Sequence, residues 1–125
     1  MQAFRQAAEA GDVDRLLALM TEDVTLRSPV VHRPYRGRAQ VGTILRAVAR
    51  VFEDLRYERE IGSEDAADHA LVFTARVRHW ELHGCDLLHT DETGLVDELV
   101  VMIRPLSGVL ALAEAMREEL ERTAG

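Results

Sequence analysis

Gly84-Cys85-Asp86-Leu87-Leu88, followed by Asp91-Glu92-Thr93-Gly94 and then Leu95 to Arg104, decides the fold. An acidic-glycine turn between two apolar runs reads as an antiparallel hairpin. Just upstream, Ala70 to Val77 puts Leu71, Phe73, Ala75 and Val77 on one face, the pattern of a core strand. A short turn near Arg78 to Trp80 returns the chain into Glu81 to Thr90. Leu71 to Pro105 is therefore three antiparallel strands. Alternation then carries a chemical consequence: if Leu88 faces inward, so does Asp86. A carboxylate on an apolar inner face is costly to ionise, so such groups are paired, hydrogen-bonded or protonated. Asp86 is thus the candidate catalytic residue. It either donates a hydrogen bond to a ligand as a neutral acid, or is a structural carboxylate tied to Arg27 or a backbone amide.

Working outward, Arg56 to Gly62 alternates weakly and reads as a further strand. Val41, Ile44, Leu45, Val48 and Phe52 recur at helical spacing over Ala39 to Phe52. A first helix spans Gln2 to Ala10 and ends at Gly11. Asp12 can cap a second helix running through Met20. Val24 to Arg27 is a short strand closed by Ser28-Pro29. After Pro105, Ser107 can cap a last helix to Arg122, with Leu110, Ala113, Met116 and Leu120 inward. The class is α+β, one domain over residues 1–125, without repeats or linkers.

The bulk numbers exclude several functions. A net charge of −7 argues against nucleic acid, which needs a basic face. All 15 basic residues are Arg, a sign of coding bias. No window approaches the roughly 18 apolar residues of a membrane span, and no basic, apolar leader opens the chain, so no secretory signal is expected. The single Cys85 forms no internal disulfide, which fits the cytoplasm. No Gly-rich phosphate loop, nucleophile elbow or Cys/His catalytic spacing is present.

Three patches together resemble the nuclear transport factor 2-like superfamily, in its SnoaL-like and ketosteroid-isomerase-like branch. They are the helix junction Ala10 to Asp14, the stretch Ser28-Pro29-Val30 through Tyr35-Arg36-Gly37, and Gly84 to Val96. The resemblance implies a cone-shaped, curved antiparallel sheet wrapped on a long helix, with an apolar pocket, plus an extra C-terminal helix in this chain. It covers isomerases, dehydratases, cyclases, epoxide hydrolases and non-catalytic binders, so it does not fix activity. Carried over residue by residue, the isomerase base falls on Ser28 and the oxyanion-binding tyrosine on Phe4. The protonated oxyanion-hole aspartate falls on Asp86, the one match of three. The acid of SnoaL-type cyclases would fall near Val100 and is missing. Steroid isomerisation is therefore not expected.

The expected pocket is lined by Phe4, Leu16, Met20, Ser28, Ile44, Leu45, Phe73, Ala75, Asp86, Leu88, Leu99 and Val101. Its expected occupant is a small, mostly apolar molecule anchored at Asp86. The alternatives are an isomerase, cyclase or dehydratase acting on a polyketide- or steroid-like substrate, and a dimerisation module without a ligand. A turn centred on Glu92-Thr93 sets Asp86 opposite Leu99 and leaves Asp97 at a wet rim. His83, Cys85 and His89 fall on the convex face. They lack a fourth ligand, so neither a metal nor a cofactor is expected. His32 and Tyr35 sit in the loop before the third helix, His69 opens a strand where it is expected to be solvated, and His79 and Trp80 occupy a turn. Val72, Cys85, Leu87, Val100 and Met102 make an apolar convex face, to be covered by the final helix or, on family habit, by a second copy in a homodimer.

Overall fold

The computed structural model describes residues 1–124. Helix α1 (Gln2–Ala10) stops at Gly11, whose φ of 69° glycine adopts without strain. Asp12 caps α2 (Val13–Ala18) by accepting a hydrogen bond from the Arg15 N–H. The chain then enters β1 (Met20–Arg27), four residues earlier than its periodicity suggests. A two-residue strand β2 (Tyr35–Arg36) precedes α3 (Arg38–Val51), followed by β3 (Glu53–Ile61), β4 (Asp68–Val77), β5 (Trp80–Thr90) and β6 (Val96–Arg104). Helix α4 (Leu106–Ala124) closes the chain.

The strands form one six-stranded sheet in the order β2-β1-β6-β5-β4-β3. All pairings are antiparallel except β1 with β6, which run parallel. The inner face of the sheet packs on α1, α2 and α3, with Met20, Val24, Val41, Leu71, Phe73, Leu88 and Val96 fully buried.

The hairpin register and the last helix both depart from the sequence expectation. Asp86 lies opposite Val101, not Leu99, because Leu99 pairs with Leu88. The connection is longer than a turn centred on Glu92-Thr93. Asp91 N–H bonds Leu95 O, the Asp91 carboxylate accepts from Thr93 and Leu95 N–H, and the ladder is bulged between His89 and Thr90. The slip is two residues, so the residues paired from His83 to His89 and from Glu98 to Arg104 keep their faces, while beyond the bulge Val96 turns into the core. Helix α4 starts at Leu106, so Ser107 is inside its first turn and not its cap. Its inward residues are Gly108, Leu112, Ala115 and Glu119, while Leu110 is 61% exposed. Gly108 sets that rotation: a Cβ there would lie 2.3 Å from Leu82 Cδ2, so the helix docks through its bare backbone.

Helix α4 packs on the inner side of the sheet. Leu112 and Ala115 cluster with Val77 and Leu82. The convex face is left uncovered, with Leu87 37% and Met102 54% exposed.

Candidate functional site

Between the sheet and helices α1 and α3 lies a cavity of about 380 Å³. Its walls are mostly apolar: Phe4, Leu16, Leu26, Ile44, Leu45, Val48, Phe52, Phe73, Leu99, Val101 and Ile103, with Leu112 contributed by α4. Exposed residues among the lining, Glu9, Ala10, Gly11, Ala49, Asp54 and Arg56, mark its mouth. Ser28 and Pro29 line it at the end of β1.

Asp86 lies on the wall of this cavity and is 6% exposed. Its Oδ2 accepts a 2.6 Å hydrogen bond from the Tyr57 hydroxyl. Among the described residues the Tyr57 bond is the one hydrogen bond to the carboxyl, so Oδ1 has no partner, and no Arg reaches it. Arg27 pairs instead with Glu98 at 3.4 Å on the outer side. Burial pushes the Asp86 carboxyl up from 3.8 to about 7, against the Tyr57 bond, which favours the charged form. Burial and the adjacent Asp86 push the Tyr57 phenol well above its ordinary value, so it stays an O–H donor.

Tyr57 has no signal in the chain, because β3 alternates weakly and Tyr57 is its sole buried residue. Irregularities in the β3–β4 ladder fall on both sides of it, between Glu53 and Arg56 and between Tyr57 and Arg59. The preceding Asp54 has a positive φ of 54°. Bulges of this kind re-aim side chains next to functional sites. The Tyr57 N–H is accordingly satisfied by Glu9 Oε2 of α1 at 2.7 Å. The ring packs edge-on against Phe73, with centroids 6.0 Å apart.

Of the expected lining residues, Phe4, Leu16, Ser28, Ile44, Leu45, Phe73, Asp86, Leu99 and Val101 are on the cavity wall. Met20, Ala75 and Leu88 are not; they pack solidly within the core. Alternation identifies the inner face but does not tell which side chains fill it and which border empty space. Phe4 offers no donor. The Ser28 hydroxyl accepts from the Val30 and Val31 N–H groups, which organises the loop and gives it no base.

The histidines stand apart from the cavity. His69 is buried, not solvated: its Nε2 lies 2.8 Å from Ala66 O, which folds the β3–β4 connection over the ring. His89 Nδ1 lies 2.6 Å from Asp97 Oδ1, so Asp97 partners His89. That bond raises the imidazole pKa. His83 faces Glu58 at 3.4 Å, His32 is exposed, and Trp80 stacks loosely on His79. Tyr35 packs against the core from β2. Among the described residues no cluster of three or more His, Cys, Asp or Glu is arranged to hold a metal ion.

The sequence pattern of the SnoaL-like domain matches residues 1–99. The chain belongs to the SnoaL-like family. Solved structures agree on the wider grouping of nuclear transport factor 2-like and ketosteroid-isomerase-like folds. A steroid delta-isomerase from Pseudomonas aeruginosa shares 37% identity, with a TM-score of 0.90 over 97% of this chain and 88% of that one. An uncharacterised cystatin-like protein from Silicibacter pomeroyi shares 32% identity, with a TM-score of 0.89 over 94% and 82%. The epoxide hydrolase/cyclase-like enzyme SalBIII, of polyether salinomycin pyran-ring formation, is similar in fold, with 17% identity and a TM-score of 0.70 over 84% and 87%. No curated protein matches this SnoaL-like chain. No helix among the described residues is long and apolar enough to cross a membrane.

Proposed function

We propose that this SnoaL-like protein binds a small, mostly apolar molecule whose single polar oxygen faces Asp86. One observation carries the reading: a buried carboxyl with one free oxygen on the wall of an otherwise apolar cavity. Ligand sites of this size take that form, apolar walls with few polar groups that fix orientation. A volume of about 380 Å³ suits a molecule of a few fused or linked rings. Native mass spectrometry of the purified protein tests it. A co-purifying small molecule lost in Asp86→Ala supports the reading; an empty cavity that takes up no apolar ketone or alcohol at any pH defeats it.

The second reading is acid catalysis of the cyclase or dehydratase kind. A carboxyl that titrates at about 7 can give or take a proton under neutral conditions. Double-bond isomerisation, the activity for which the 37%-identical P. aeruginosa protein is named, needs a separate base. This chain places Ser28 there, with Phe4 where a hydroxyl would assist. Binding is therefore the reading the residues support best.

The protein acts as a homodimer in this proposal, paired through the convex sheet face. Val72, Cys85 and Met102 form one cross-strand row and Ala70, Leu87 and Val100 the next. Thr74, His83 and Arg104 border them on one side, and Asp68, His89 and Glu98 on the other. A two-fold axis through the apolar rows would set the basic border of one copy against the acidic border of its partner. The free Cys85 thiol suits a cytoplasmic setting.

A further inference from the structure

We propose that Tyr57 is the positioning residue of this site, holding Asp86 Oδ2 so that Oδ1 alone meets the ligand. This rests on the reading of Asp86 as the polar anchor. The buried phenol has one proton and spends it on Oδ2. When Asp86 is neutral, its acid proton therefore sits on Oδ1, directed at the ligand's oxygen. When Asp86 is ionised, that proton is gone and Oδ1 only accepts. One side chain thus decides which oxygen the ligand sees and fixes the pair to a single outward donor. The natural partner of the neutral pair is a carbonyl oxygen; an alcohol, which can donate or accept, is served by either state.

The placement of Tyr57 is built by several elements. Tyr57 stays paired with Phe73 between two irregularities of the ladder, and its backbone groups bond to α1. Glu9 accepts its N–H at 2.7 Å, and Arg5 donates to its carbonyl at 3.4 Å. In the carry-over from ketosteroid isomerases the second hydroxyl would come from α1, where this chain has Phe4. Here α1 supplies the clamp, and the β3 hydroxyl serves Asp86 and not the ligand. Among the described residues the Asp86 carboxyl has Tyr57 as its one hydrogen-bond partner. Leu71 on β4 and Val101 on β6 flank it in the ladder. The other charged groups on the cavity are Glu9 on α1 and Asp54 and Arg56 on β3. Glu9 is committed to the Tyr57 N–H and Asp54 to Arg76 at 2.9 Å, while Arg56 is exposed at the mouth.

The test is the Asp86 titration followed by carboxyl ¹³C NMR in the ligand-free protein, for the wild type, Tyr57→Phe and Glu9→Ala. Losing a hydrogen bond to the charged form should move the Asp86 midpoint up by about one to two pH units in Tyr57→Phe. Glu9→Ala, which removes no contact with Asp86, should move it the same way by less. An unchanged midpoint in folded Tyr57→Phe overturns the proposal. Binding of an apolar ketone, measured in parallel, separates the two claims. In the wild type its affinity should fall about tenfold per pH unit above the midpoint. In Tyr57→Phe the fall should start at the higher midpoint. A shifted midpoint with no ketone binding at any pH would defeat the ligand reading while leaving the positioning of Asp86 by Tyr57 standing.

Discussion

Tyr57 and Asp86 are hydrogen-bonded at 2.6 Å although their strands are not neighbours in the sheet. Strand β4 runs between them, pairing Phe73 with Tyr57 on one side and Leu71 with Asp86 on the other. The bond bridges a strand because Phe73 leans over Gly84, where no side chain opposes it, and Tyr57 passes along its edge.

Stability should fall as pH rises from about 4 to about 7. The Asp86 pKa is about 7 in the folded state against 3.8 for the ordinary group, so between these values the native protein holds a proton the unfolded chain releases. The stabilisation is therefore present at low pH and lost as pH approaches about 7, with an upper size of about 4 kcal/mol. Asp86→Asn keeps an acceptor for Tyr57 and removes the charge. Urea unfolding across this window should show the slope in the wild type and not in the variant; equal slopes would contradict a buried, titrating Asp86.

Steroid double-bond isomerisation should be negligible, because Ser28 is no proton acceptor and Phe4 no donor. Restoring a base in Ser28→Asp, with Phe4→Tyr, should raise the rate by about 10² to 10⁴-fold, the usual worth of a positioned base. A wild-type turnover in the ordinary enzyme range of about 1 to 1,000 per second would refute the expectation.

The convex face should seat a second copy. Light scattering at micromolar concentration should give twice the chain mass of 14.0 kDa. Leu87→Glu should give a monomer, since it would bury an unpaired charge in the interface. A wild-type mass near 14.0 kDa would exclude the dimer.

Gly84→Ala should destabilise by about 1–3 kcal/mol, the usual cost of overpacking. A Cβ at Gly84 would lie 2.4 Å from Phe73 Cζ and 2.8 Å from Met102 O. The displaced Phe73 ring would press on Tyr57, so thermal unfolding and ligand affinity should both decline. Loss of neither would mean that the ring relaxes freely.

The sheet is legible in the sequence because its chemistry is local. Alternation over Leu71 to His89 and over Glu98 to Ile103 assigns inner and outer faces even where the turn is longer than its residues suggest, since a slip of two residues preserves them; it fails at Val96, which the bulge after His89 turns inward. Asp86 stands out for the same reason, as a charge on an apolar period. Tyr57 does not, because its orientation depends on bulges and on Glu9, 48 residues away in sequence. Leu110 misleads for a related reason: the rotation of α4 is set by the absence of a side chain at Gly108, which hydrophobic periodicity does not register.

Strand β3 ends the sheet, held by one ladder with β4 and by the clamp from α1. Edge strands of this kind open first in local unfolding. Since Tyr57 ties this edge to the centre of the sheet through Asp86, a bound molecule would act as a fastener for the outermost strand. Its free energy would be felt as slower amide exchange along Glu53–Ile61, past the Asp54 to Tyr57 stretch that borders the cavity and out to the far end of the strand, by the same linkage that raises global stability with ligand concentration.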